Sequence, residues 1–432
     1  MSSPITDRGL RRAIALSSAG TTAARVTGAV GGVLAARLLG PTGRGQLAIL
    51  TVVGIVGATA AAAGLQFWVA REVARSGGVR VAWRVVVRHA AVIVMVVPLV
   101  GLLVGPAVGA FADAPPEAIA AAVGLAFAGA LAFILLALPH GMRAMGVVAT
   151  ATTTAGAVYL SVTLVLCVAG VESVALVLVG AALGQLASAA VSYRFVARSL
   201  RAPGGDETQS HTHGHKGWTG YRTALGFGAP GGAGELVLLS MLRIDVLVVA
   251  AFLPLEAVGL YAVATALTEM LWVVPDGVAL VVLPTTARDP LASRTRALLV
   301  PTLALTAAAG LVLTLIDAPL VRALFGASFA GATAAVPFLA VAAVAGGAWK
   351  VIGAEVVAHG RTAPRLWSAS AGLVTMLAVD LVSVTRLGIE GAALGSACGY
   401  LVAALVMSRA WAMQLRQTAM PVTAQPAGRS AA

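Results

Sequence analysis

Apolar runs of about 20 residues recur along almost the whole chain, and a run of that length is what a helix needs to cross a bilayer. Of the 432 residues, 59% are hydrophobic and only 11% are charged, whereas a soluble domain averages about 25% charged. A water-facing surface cannot be built from that supply, so lipid is the solvent for most of the chain. The expected fold class is an all-α polytopic membrane protein.

Windows of spanning length fall at 13–39, 46–70, 86–111, 117–139, 146–170, 174–196, 224–252, 257–284, 297–316, 332–356, 366–385 and 389–411, about 12 spans. The loops between them test this reading. Arg8, Arg11 and Arg12 precede the first span, and basic residues recur in alternate loops: Arg71 to Arg88, Arg143, Arg194 to Arg222, Arg288 to Arg296, Arg361 with Arg365, and Arg409 with Arg416. The opposite loops carry only Arg37, Arg44, Arg322 and Arg386, and they hold the acids Asp113, Glu117, Glu172, Glu256, Asp317 and Glu390. Cytoplasmic loops concentrate arginine and lysine, so an even number of spans is expected, with both ends inside. The net charge of +12 is this loop signal. It carries no aromatic interleaving, so no nucleic-acid partner is expected.

The longest hydrophilic stretch divides the chain. The expected organisation is a six-helix bundle over 1–197, a cytoplasmic linker over 198–221, a second six-helix bundle over 222–416, and a disordered tail over 417–432. Weak echoes relate the halves: Leu39-Gly40-Pro41 with Gly45, and Phe252-Leu253-Pro254 with Gly259. Two such halves would relate by an axis along the membrane normal, as in many secondary transporters.

About nine charged residues fall within the spans, with Arg37, Arg88, Glu117, Arg194, Glu390 and Arg409 at span ends counted with the loops: Arg25, Glu235, Arg243, Asp245, Glu269, Asp276, Lys350, Glu355 and Asp380. Each would cost about 2.5–3.5 kcal/mol facing lipid at mid-depth. The sum, on the order of 20–30 kcal/mol, exceeds the roughly 5–15 kcal/mol of a domain's net stability. They must face one another or water, and a wet internal cavity accommodates both. Arg25 lies about 12 residues from the inner end of its span, roughly 18 Å deep. Ser18, Thr21 and Thr22 share its side of the helix and make a polar stripe, which reads as cavity-lining; the alternative is an arginine paired to pack the bundle. Arg243 is also near mid-depth. Asp245 is two positions away and so faces elsewhere. Glu269 and Asp276 share one face and are expected to pair with Arg25 or Arg243, or to carry protons or cations. Lys350 either joins this group or snorkels, and Asp380 is expected at the interface. The run 226–234, with Gly228, Pro230 and Gly231, reads either as a hinge or as a close-packing surface, and Pro275 is a further bend.

No catalytic constellation, phosphate-binding loop or metal-ligand spacing is present in the sequence, and no cofactor is expected. His211, His213 and His215 alternate in the linker without accompanying ligands. Cys167 and Cys398 lie inside spans and read as small packing residues. No cleavable signal peptide is expected, since the first apolar run is too long.

The segment from Ala36 to Gly45, with Leu39-Gly40-Pro41 and Gly43-Arg44-Gly45, resembles the loop after the first helix of Wzx-like polysaccharide flippases of the multidrug/oligosaccharidyl-lipid/polysaccharide (MOP) exporter superfamily. So do Arg243-Ile244-Asp245, the segment from Gly259 to Ala264, Pro284, and the segment from Leu324 to Phe329. The resemblance implies two bundles in a V around a cationic cavity in the plasma membrane, moving a lipid-linked oligosaccharide between leaflets. It makes Arg25 and Arg243 the contacts to the lipid diphosphate, since guanidinium binds phosphate oxygens bidentately. Membrane lipids, and a polymerase or glycosyltransferases of the same pathway, would be its partners. Related lipid II flippases have two further helices, which this chain is expected to lack. The other readings are a cation-coupled drug antiporter of the same superfamily, a membrane enzyme of envelope glycan assembly, and a non-transporting scaffold.

Overall fold

The computed structural model of the chain describes residues 7–201, 218–288 and 295–419. Among the described residues the regular elements are all helical. They are α1 (Asp7–Ala62), α2 (Leu65–Ser76), α3 (Val79–Ala112), α4 (Pro116–Gly141), α5 (Met145–Ala169), α6 (Val174–Arg201), α7 (Trp218–Phe252), α8 (Leu255–Glu269), α9 (Val273–Arg288), α10 (Thr295–Leu324), α11 (Val336–Ala358), α12 (Ala363–Leu387) and α13 (Ile389–Ala419). Among the described residues ten stretches are long and apolar enough to cross a membrane, so the chain is a multi-pass membrane protein. The three histidines of the linker and the residues beyond Ala419 lie outside the described residues.

Several boundaries differ from those read by hydropathy, each for a local reason. The first two spans form one run, Thr22–Ala62, with no loop between them. Gly40 breaks its helix (φ 67°, ψ −179°), a conformation open to glycine, and Pro41 comes next without an N–H to donate. The second span stops at Ala62, where Ala63 and Gly64 turn the chain at positive φ. Beyond that turn the short α2 buries Leu65, Val69 and Val73 at spacings of four. α7, 35 residues long, carries Glu235, Arg243 and Asp245 and is not among the ten apolar stretches. The span 257–284 is two helices joined by a 3₁₀ turn, Met270–Trp272. Pro275, just beyond, lacks the N–H that would continue the α-helical ladder through that turn.

Within lipid, helices gain little from hydrophobic burial and associate through close van der Waals packing. Before the 202–217 stretch, α1 packs on α4 and α5, and α6 packs on both. After it, α13 packs on α11 and α12, and α9 and α10 pack on α11. Contacts across the stretch run chiefly from α1 to α8 and α7, and from α2 to α7. Two of them bring backbone onto backbone. A Cβ at Gly45 would collide with the Leu255 carbonyl, and a Cβ at Gly259 with the Pro41 carbonyl. The contact is reciprocal, and it is made by the two echoing segments of the sequence. A Cβ at Gly64 would likewise strike the Gly228 carbonyl.

The glycine-rich run 226–234 does not interrupt α7, which continues as one helix through Pro230. Gly228 and Gly232 lie against Gly64, and Gly231 lies against the Phe67 ring. The early part of α7 also holds to the preceding helices through Tyr221, whose hydroxyl is 2.7 Å from His89 Nδ1, and through Phe227, whose ring lies 4.4 Å from the Arg71 guanidinium carbon. Its later part packs on α12 and α13 through Met241. α7 thus has one end on each half of the chain. Beyond the crossing, Arg37 donates to the carbonyls of Ala323 and Leu324 at the end of α10, where a cation offsets the helix dipole.

Candidate functional site

Two ion clusters lie between α1 and α7–α11. In the first, Arg25 on α1 donates to the Asp276 carboxylate at the start of α9. Lys350 on α11 reaches the same carboxylate, 2.9 Å from Oδ1 and 3.2 Å from Oδ2. One carboxylate therefore holds two cations, one from each half of the chain. Lys350 does not snorkel toward an interface: its Nζ sits 3.9 Å from the centre of the Trp272 ring, a cation–π contact. In the second cluster Arg243 on α7 grips Glu269, the last residue of α8, in a fork of 2.6 and 3.3 Å. The side chains of both clusters keep 18–35% of their surface exposed, so neither cluster is sealed in the core.

The 3₁₀ turn of Met270–Trp272 joins the clusters. It separates Glu269 from Asp276 and turns the Trp272 indole between them. The indole donates to Ala343 O at 3.0 Å, and its ring meets Tyr400 edge-on at 5.5 Å. The sequence expectation that Glu269 and Asp276 face Arg25 and Arg243 corresponds to these pairs, one carboxylate to each arginine.

A drier group lies beside them. Asp245 is 5% exposed and accepts from Tyr261 Oη at 2.6 Å, Ser396 Oγ at 3.1 Å and the Val246 amide at 2.8 Å. Asp380 on α12 is fully buried, and neither of its carboxylate oxygens has a hydrogen-bond partner among the described residues. Expected at the interface, it is packed inside the protein against α13. A Cβ on Gly395 would occupy the Asp380 carboxylate's place, so only glycine admits this approach of α12 to α13. A cavity of about 30 Å³ bordered by Asp245, Ser396, Glu269, Trp272 and Tyr400 links this group to the second ion cluster; it has room for about one water. Two carboxylates here lack a cation, which suits a proton or a small cation.

Other expected residues fall elsewhere. Glu235 borders a separate cavity of about 400 Å³ with Thr59, Gln66, Phe67 and His140. Thr22 is exposed. The side chains of Ser18 and Thr21 lie outside the described residues. Among the described residues there is no group of three or more histidine, cysteine or acidic side chains able to hold a metal.

Sequence reasoning missed Arg44. Taken for a loop residue, it is four positions beyond the Gly40 kink, inside α1. Its Nε is out of contact with solvent and has no hydrogen-bond partner among the described residues. The only signal was its place in a connection too short to be a loop. Trp272, Tyr261, Tyr400 and Ser396 carry no sequence signal, since aromatic and small polar residues are common in apolar spans.

A family model described as polysaccharide biosynthesis protein matches residues 10–288. No curated protein matches the chain by sequence. Among solved structures, the fold is similar to a lipid II flippase, MurJ, in an inward closed conformation (14% identity, TM-score 0.71, covering 94% of this chain and 88% of that one). It is also similar to an inward-facing multidrug resistance MATE transporter of the MOP superfamily (17% identity, TM-score 0.62, covering 94% and 96%). A Vibrio cholerae MATE transporter is a further match (16% identity, TM-score 0.58, covering 93% and 98%).

Proposed function

The chain belongs to the polysaccharide biosynthesis protein family, and on that premise we propose that it is an alternating-access flippase for a lipid-diphosphate-linked oligosaccharide. The observation that carries the proposal is the pair of arginines, Arg25 and Arg243, each about one-third exposed and each held by a carboxylate. Such guanidinium groups are oriented, and a diphosphate competes with the carboxylate for the same donors. The likeness in fold to a lipid II flippase fits a lipid-linked cargo. The cargo crosses without any bond being made or broken, so no catalytic group is called for.

In this reading about 12 spans place both ends in the cytoplasm. They form two six-helix bundles, 1–197 and 222–416, joined by the 198–221 linker. The α1–α8 crossing at Gly45 and Gly259 closes the outer side. α7, with Gly228, Pro230 and Gly231, and the turn before Pro275 take up the change when the bundles rock. Lys350 and Asp276 complete the Arg25 cluster, and Asp245 with Asp380 carries the coupling proton or cation. Glu235 and Thr22 line the inner approach. The partners are the lipid-linked glycan, membrane lipids, and the polymerase or glycosyltransferases of the same pathway.

A second reading, cation-coupled antiport of a drug or other small molecule, is favoured by the Asp245–Asp380 group and by the MATE likeness in fold. Lipid extracts of a deletion strain separate the two. A completed diphosphate-linked repeat unit accumulating on the inner leaflet, cleared by the wild-type gene and not by Arg25→Ala, supports the flippase. Absence of that lipid together with increased drug sensitivity supports the antiporter and reduces the arginines to structural partners of the carboxylates.

A further inference from the structure

The cavity bordered by Glu235 is the chemical opposite of the arginine clusters. It holds about 400 Å³ between α1, α2, α4 and α7, within the size range of small-molecule sites. Four polar side chains border it, Thr59, Gln66, His140 and Glu235, and each has an acceptor to offer. No hydrogen bond or ion pair reaches the Glu235 carboxylate among the described residues. Thr59 donates its hydroxyl proton to the Ile55 carbonyl at 2.9 Å and keeps its lone pairs. His140 donates from Nδ1, because its partner at 2.9 Å is the Leu136 carbonyl; in the neutral ring Nε2 is then an acceptor. Gln66 Oε1 accepts nothing from the protein among the described residues. The remaining walls are apolar, and two of them are the rings of Phe67 and Phe133.

A carboxylate, three neutral acceptors and aromatic faces complement one chemical class, a cation rich in N–H donors. An anion would be repelled by Glu235 and would meet no arginine or lysine among the lining residues. A quaternary ammonium would gain the charge and the ring faces but leave the neutral acceptors unmet. A primary ammonium brings one charge and three N–H donors. We propose that this cavity binds a primary amine in its protonated form, carried on an apolar body of small-molecule size. The site is separate from the ion clusters: Glu235 precedes Arg243 by eight residues on α7, roughly 12 Å along the axis, and none of the clustered ions borders it. It does not rest on the flippase reading, since neither the arginines nor the cargo enter into it. Its place gives occupancy a mechanical consequence. The Phe67 ring also lies against Gly231, one helical turn before Glu235. A ligand between Phe67 and Glu235 therefore spans α2 and α7 at the contact that seats α7 on the first half of the chain, and binding stabilises that seating.

The test uses full-length protein in phosphatidylcholine nanodiscs, titrated calorimetrically with phenethylamine, its N,N,N-trimethyl derivative and 2-phenylethanol. Wild type should bind the primary amine about tenfold or more tightly than either analogue, and its unfolding midpoint should rise with amine concentration. Glu235→Gln should weaken amine binding about tenfold or more, and Phe133→Leu about threefold, each with an unfolding midpoint near that of wild type in the absence of amine. Farnesyl diphosphate, a probe for the arginine clusters, should not displace the amine. Absence of amine binding, or equal affinity for the three probes, would overturn the proposal by wild type alone, whatever the variants do. Displacement by farnesyl diphosphate, or binding lost in Asp245→Asn and retained in Glu235→Gln, would place the amine in the central clusters and overturn the assignment to this cavity. Either failure leaves the flippase reading as it stands.

Discussion

The partly exposed ion clusters and the dry Asp245–Asp380 group lie side by side and solve opposite problems. Arg25, Lys350 and Arg243 each face a carboxylate and keep part of their side-chain surface exposed. Asp245 accepts hydroxyl donors in the buried core, whereas neither carboxylate oxygen of Asp380 has a hydrogen-bond partner among the described residues. The first arrangement leaves its cations able to exchange one anion for another. The second leaves negative charge short of a counter-charge, a state relieved by a proton or a cation. A transporter coupling an anionic cargo to a cation gradient needs one site of each kind, and the about 30 Å³ cavity between Glu269 and Ser396 puts them in contact.

The sharpest break of this comparison is Asp276→Ala. It strands Arg25 and Lys350 together and should lower stability by about 2–4 kcal/mol, read as a fall in the unfolding midpoint in detergent. An unchanged midpoint would mean that water already neutralises the cluster. Asp380→Leu should act in the opposite direction, raising stability by about 1–3 kcal/mol while abolishing the dependence of transport on the coupling ion. Tyr261→Phe removes one donor from Asp245 and should cost about 1–1.5 kcal/mol, and its effect should shrink in an Asp245→Asn background. The smallest effect is the Arg243–Glu269 coupling in a double-mutant cycle, about 0.5–1 kcal/mol, because both side chains are near one-third exposed. A coupling several times larger would move that pair into the class of the dry group.

Much of the fold was legible because lipid enforces it. Charge-poor runs of spanning length mark the helices, and the echo of Pro41–Gly45 in Pro254–Gly259 hinted at two related halves without showing that these segments cross. The buried charges named the clusters, since a charge in a span demands a partner; helical spacing showed that Asp245 would not be the partner of Arg243. The pairings themselves were not legible. Which carboxylate meets Arg25 depends on how α9 is rotated after the 3₁₀ turn, and a hydropathy window does not register that turn. Arg44 was hidden by the opposite error: a kink at Gly40 reads as a loop, and loops excuse arginines. Asp380 read as interfacial because distance along a span was used as depth, while its burial comes from Gly395 on the neighbouring helix. The glycine-rich run in α7 carried two meanings, and its composition cannot separate a hinge from a surface shaped to receive Gly64.

The central claim is that Arg25 and Arg243 guide a lipid diphosphate across the membrane. Its most direct test is a proteoliposome assay in which a fluorescent polyprenyl-diphosphate-linked glycan becomes accessible to an external lectin. Transfer by wild type, with loss of about tenfold or more in Arg25→Gln and Arg243→Gln at preserved folding, is the result expected. Transfer that survives both substitutions, or that the same glycan on a neutral lipid undergoes equally well, would contradict the account.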